Sequence, residues 1–253
     1  MHNKLSVKKE RKAEILKLLK FYNFNVMVPS YDPIDYLKRS LELNPKNYKA
    51  AQLHATYLIS KGSFGEAVNY LHQFLSNFEE QAHLRNLLAS AYLHLNKIEE
   101  AEESIHMALS YEPRSKDILY TAFLIKKKKG DKFSALHFLE RILSLNDQSI
   151  EILYEMAELL DSNTELIRKI NVLEVAYASD PRNRKVFQEL IECLLKYFDD
   201  TPKESFDPQI IREFLTHLDK GVPSYFPTEI YQQTTRRLNQ FREIRDLLRI
   251  NFS

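Results

Sequence analysis

Glycine is scarce: four residues in a chain of 253, against nine prolines. Glycine supplies the positive φ angles that tight hairpin turns and phosphate-cradling loops require, so its scarcity argues against β-rich folds and against nucleotide-binding loops. A single cysteine, Cys193, leaves no partner for an internal disulfide and no thiolate cluster for a metal. Charge of one sign is also missing. The 36 basic and 35 acidic residues nearly cancel to +1, so no whole-chain field favours nucleic acid or an anionic membrane. No uninterrupted apolar run approaches the length needed to cross a bilayer. The N-terminal "MHNKLSVKKERKAEILKLLK" has the basic residues of a secretory signal without the apolar segment that should follow. These absences make a cytoplasmic, soluble protein the expectation.

What the chain does have is a core and a rhythm. Apolar residues make up 44% and charged residues 28%, enough to bury an interior. Apolar positions recur three and four apart, the helical spacing. Above that lies a second period of about thirty-four residues. In frames starting at Tyr48, Ala82, Lys116 and Ile150, three small residues coincide at Ala67, Ala101 and Ala135, and three more at Ala55, Ala89 and Ala157. Larger apolar residues coincide at Leu71, Ile105, Leu139 and Leu173, and turn residues at Gly62, Asn96 and Gly130. Prolines close some units, at Pro45, Pro113 and Pro181. Each unit therefore predicts two helices that approach closely through the small residues, with proline ending the second helix.

This pattern resembles the tetratricopeptide repeat family. The resemblance implies an all-α fold: an α-solenoid, a right-handed superhelix of helical hairpins, with a C-terminal capping helix. We expect a basic N-terminal tail at 1–13 and a degenerate first repeat at 14–47. Four repeats follow at 48–81, 82–115, 116–149 and 150–183, and 184–253 forms a divergent hairpin with an insertion plus the capping helix. Lys169 and Phe123 stand where the family has small residues, which leaves helix spacing at those two points open.

The resemblance also implies that first helices line a concave groove. Ten positions are the candidate partner-binding residues: Gln52, Thr56, His83, Asn86, Ser90, Tyr120, Leu124, Tyr154, Glu158 and Gln188. Lys49, Asp117, Glu151, Lys185 and Glu192 flank them. Amides can pair with a peptide backbone, and tyrosines offer contact area at low entropic cost, so a peptide segment or partner helix is the expected guest. One variant of such a groove, the carboxylate clamp that grips chaperone tails, needs a cationic pair in its third unit. The corresponding places hold Asp117 and Thr121, Glu151 and Glu155, or His83 and Leu87, depending on register. The sequence thus argues against a clamp-type cochaperone.

Other constellations point elsewhere only weakly. The eight histidines show no metal-ligand spacing, and no acid, base and nucleophile converge, so neither a metal, a cofactor nor an enzymatic activity is expected. Lys126–Lys129 and the glutamates of "KIEEAEES" fall where helix dipoles favour them. Cys193 faces inward and reads as an inert thiol. Basic residues gather at the front (Lys4, Lys8, Lys9, Arg11, Lys12) and on the last helix (Arg236, Arg237, Arg242, Arg245, Arg249). They support an alternative, an RNA-associated factor, beside a second alternative, a peptide-sensing regulatory module. The first reading is a non-catalytic scaffold or adaptor.

Overall fold

The computed structural model describes residues 33–78, 81–145, 149–219 and 221–250. The expected basic tail and the front half of the degenerate first repeat lie outside these residues. Among the described residues there are twelve α-helices and one 3-10 turn and no strand. They fall into two compact units, one within Met1–Leu145 and one within Asn146–Ser253.

The N-terminal unit contains α1 (Pro33–Leu43), α2 (Tyr48–Ser60), α3 (Phe64–Leu75), α4 (Ala82–His94), α5 (Ile98–Tyr111), α6 (Lys116–Lys129) and α7 (Lys132–Leu143). Each helix packs on the next, and α4 also packs on α2 and α6, so first helices lie side by side. Small side chains set this spacing. Ala55, Ala67, Ala89, Ala101 and Ala135 are fully buried between helices, and Leu71, Ile105 and Leu139 fill the space around them. Phe123, at the place held by alanine in three other repeats, is also fully buried. Its ring lies 5.5 Å from that of Tyr120 and 5.7 Å from the Lys127 ammonium. The hairpin therefore accommodates the bulk inside the core.

The three turns share one closure. Gly62, Asn96 and Gly130 take positive φ values of 75°, 59° and 82°. The next residue in each case reaches back five positions: Ser63 N–H to the Leu58 carbonyl, Lys97 to Tyr92 and Asp131 to Lys126, at 3.0, 2.9 and 3.0 Å. This bond brings a further donor to a carbonyl in the last turn of the helix. Side-chain caps act at some helix starts. Asn47 Oδ1 accepts from Ala50 N–H at 3.2 Å, and Asp131 Oδ1 from Ser134 N–H at 3.1 Å.

Two lysines of the run pair with the neighbouring helix. Lys126 and Lys129 reach from α6 to Glu102 on α5, at 2.6 and 2.5 Å. Burial alone would raise the Glu102 carboxyl, but the hydrogen bonds from the two lysines outweigh it and hold the pKa below its ordinary value.

The C-terminal unit contains α8 (Ile150–Leu159), α9 (Leu166–Ser179), α10 (Arg184–Asp200), a 3-10 turn (Lys203–Ser205), α11 (Pro208–His217) and α12 (Thr228–Ile250). Asp199 and Asp200 form the end of α10. Asp207 then caps α11, accepting from Gln209 N–H at 2.8 Å, with Pro208 at the first helical position. The capping helix α12 is anchored by aromatic contacts. Phe241, 2% exposed, lies 4.7 Å from Phe198 and 5.9 Å from Phe214 with steeply inclined rings. His217 Nε2 sits 2.8 Å from Glu174, tying α11 to α9.

Candidate functional site

The candidate residues occupy first helices throughout. Gln52 and Thr56 lie on α2; His83, Asn86 and Ser90 on α4; Tyr120 and Leu124 on α6; Tyr154 and Glu158 on α8; Gln188 on α10. Thr56, His83 and Glu158 are exposed, and the other seven are half-buried. Because α2, α4 and α6 pack side by side, the seven candidates of the N-terminal unit share neighbouring helices. Tyr120 and Tyr154, the two candidate tyrosines, belong to different units.

Several candidates already have commitments. The Thr56 hydroxyl donates to the Gln52 carbonyl at 2.8 Å, within its own helix. His83 faces Glu112, 3.5 Å away, at the far end of the same repeat. Asn86 Oδ1 is shielded from solvent and accepts no hydrogen bond from the described residues, so it is closed to a guest as it stands. Nearby on α2 and α3, the rings of His54 and Tyr70 lie 4.4 Å apart. Burial, followed by the charge of Lys38, lowers the His54 pKa, and burial pushes the Tyr70 phenol up to about 12. Both rings are therefore neutral core members at pH 7 rather than acid–base groups.

In the C-terminal unit the structure joins residues from successive first helices. The Lys185 ammonium lies 4.5 Å from the centre of the Tyr154 ring. A hydrogen bond to the Tyr154 phenol raises the Lys185 pKa above its usual value. One turn further along α10, Gln188 Nε2 donates to Glu192 at 2.8 Å.

Sequence reasoning missed how Lys169 is used. It stands on α9 where three other repeats have a buried alanine, yet it is itself only 8% exposed. Its ammonium pairs with Glu189 on α10 at 2.9 Å. The departure from the small-residue pattern was the available signal; the acidic partner, twenty residues on, was not. Cys193 is close by, with its thiol pushed up to about 11 by burial, which makes thiolate chemistry at neutral pH inaccessible.

The basic patch on the last helix is partly consumed by the fold. Arg237 pairs with Asp199 and lies 5.8 Å from the Phe198 ring centre, and Arg242 donates to the Leu218 carbonyl at 3.2 Å. Those two cations hold α12 in place. Among the described residues no helix is long and apolar enough to cross a membrane.

The family model described as "Anaphase-promoting complex, cyclosome, subunit 3" matches residues 34–108. Anaphase-promoting complex subunit 3 of Dictyostelium discoideum is 30% identical over 96 residues, a match covering 38% of this chain and 10% of that relative. Among solved structures, PilF of Pseudomonas aeruginosa is similar with a TM-score of 0.61 at 16% identity, over 90% of this chain and 97% of that one. YrrB, described as a TPR protein with an unusual peptide-binding site, gives a TM-score of 0.56 at 16% identity, over 72% of this chain and 91% of that one. A thermophilic TPR protein of Thermus thermophilus gives 0.54 at 19% identity, over 75% and 99%.

Proposed function

We propose that this chain, a tetratricopeptide-type helical repeat protein, is a non-catalytic scaffold or adaptor that holds a peptide segment or partner helix against its first helices. The observation that carries this reading is the alignment of α2, α4 and α6, whose candidate side chains remain half-buried or exposed on adjoining helices. A surface of this kind is preformed, so a guest is ordered without reorganising the protein. With Thr56 and Asn86 set aside, the Gln52 amide, the Ser90 hydroxyl and the Tyr120 phenol are the group types suited to a peptide backbone and to apolar side chains. The likeness to a subunit of a multiprotein complex supports a role within an assembly. Arg237 and Arg242, spent on the packing of α12, favour this reading over RNA binding by the basic ends.

The test is capture of partners from the native host by the wild type and by Tyr120→Ala/Tyr154→Ala. Both rings are half-buried, so the variant should retain helicity and melt within a few degrees of the wild type. Partner recovery should fall by about tenfold, the scale of losing one or two aromatic anchors. Undiminished recovery would move the binding surface away from these helices.

A further inference from the structure

The α1–α2 end of the N-terminal unit is less covered than the repeats that follow it. Helices α3, α5 and α7 each bury four residues, whereas none of residues 34–43 of α1 is buried. The difference falls at matching places along the thirty-four-residue period. Leu37 is half-buried, while Leu71, Ile105 and Leu139 are 5% exposed or less. Tyr57 is half-buried, while Ala91 and Ile125 are fully buried, and Leu53 is 37% exposed against 9% for Thr121.

Packing explains the contrast. Each of α3, α5 and α7 lies on the first helix of its own repeat, and α4 and α6 each lie on the first helix before them. Among the described residues, α1 and α2 have no helix in the corresponding positions. Leu37 from α1 and Leu53 and Tyr57 from α2 therefore mark one apolar seat of the kind a preceding first helix fills. Gln52 and Thr56 adjoin it on α2, so the seat borders the candidate partner surface.

We infer that this seat is taken by residues 14–27 of the same chain, docked as an amphipathic helix that charge repulsion keeps detachable. That segment lies outside the described residues, and its sequence carries the argument. Ile15, Leu18, Leu19, Tyr22 and Val26 recur three and four apart, one apolar stripe on a helix. Pro29 disfavours helix at Val28. The five residues 28–32 then lead to α1, a usual length for a connection between antiparallel helices. Fourteen helical residues span about 21 Å, enough to run the length of α1. The opposing charge is equally plain. Residues 8–20 hold six basic and two acidic side chains, and residues 33–61 hold five and two. Lys61 stands 5.6 Å from the Tyr57 ring centre, at the seat itself, and Lys49 lies one helical turn before Leu53. Apolar contact thus draws the segment in while like charges push it off, and release bares the outer side of α2. This strap is independent of the peptide-holding reading.

Hydrogen–deuterium exchange of the full chain, read by mass spectrometry, tests it. Amides of residues 14–27 should exchange at least about tenfold more slowly than in the free peptide of that sequence, as local opening of a docked element predicts. Leu53→Asp, a change at an already exposed position, and Leu19→Asp should each remove that protection, and the double variant should remove no more. Protection of α4 to α7 should stay unchanged, which separates undocking from unfolding. Raising sodium chloride from about 50 to 500 mM should strengthen the protection, because screening relieves the repulsion. Lys49→Glu/Lys61→Glu should strengthen it already at low salt and flatten the salt response. Exchange at the free-peptide rate, protection that survives Leu53→Asp, or protection that weakens with salt would overturn the strap. Protection that grows with protein concentration alongside a dimer in sedimentation would also overturn it, by giving the seat to a second copy.

Discussion

Lys169→Ala restores the residue type found at the same place in three other repeats, yet it should destabilise the protein. The Lys169 side chain is 11% exposed and that of Glu189 is 22% exposed, at 2.9 Å separation. The pair lies between two limits: exposed pairs contribute about 0–1 kcal/mol, and breaking a fully buried pair costs about 3–5 kcal/mol. Removing Lys169 leaves the better-hydrated member unpaired and should cost about 2 kcal/mol. Glu189→Ala strands the more deeply buried ammonium and should cost about 3 kcal/mol. The double variant should lose less than the sum, with a coupling of about 1–2 kcal/mol. Urea unfolding followed by far-ultraviolet circular dichroism measures all four corners of the cycle. A salt series adds a second check, since a pair this shielded should be screened less than a surface pair. Additivity within about 0.3–0.5 kcal/mol, or a Lys169→Ala variant as stable as the wild type, would refute the reasoning.

Three further outcomes follow from the same structure. Gly130→Ala should cost about 1 kcal/mol in urea titration, because a methyl group there meets no atom within 4 Å and only the φ of 82° opposes it; Asn96→Gly should be nearly neutral. Phe123→Ala should lower stability by about 3–5 kcal/mol, since a fully buried ring would leave a cavity where its neighbours are held apart. Acidification should weaken the fold through His54. Its folded pKa lies below the ordinary 6.5, so the unfolded chain binds more protons, and the stability present above pH 6.5 is lost as pH falls through the folded value. His54→Leu should flatten the part of the melting temperature's pH dependence that lies below 6.5, and an unchanged profile would contradict the assignment.

The hairpins are legible in the sequence because their causes are local and repeated. Alanines at one place, a long aliphatic residue four positions on, and a glycine or asparagine in the turn each have a nearest-neighbour explanation. Phe123 stands out as anomalous, but its outcome depends on whether surrounding helices can yield, which no spacing encodes. The candidate surface is legible as a set of positions and illegible as a set of available groups. Thr56, His83 and Asn86 are committed or shielded by partners that lie on the same helix, at the end of the repeat or inside the fold. Lys169 shows the limit most plainly. In one dimension a lysine in place of alanine reads as decay of the repeat; in three, Glu189 from the next repeat lies against it.

Within each unit the described helices touch their neighbours and, in places, next neighbours along the chain, and the turns close by bonds spanning five residues. Among the described residues, contacts of that reach hold each helix to those that follow it within its unit. Under tension such a chain yields in sequence, from whichever extremity is weakest, releasing slack of about 12 nm for each thirty-four-residue hairpin at full extension. A protein built this way behaves as a spring under load and can regain its shape one coil at a time.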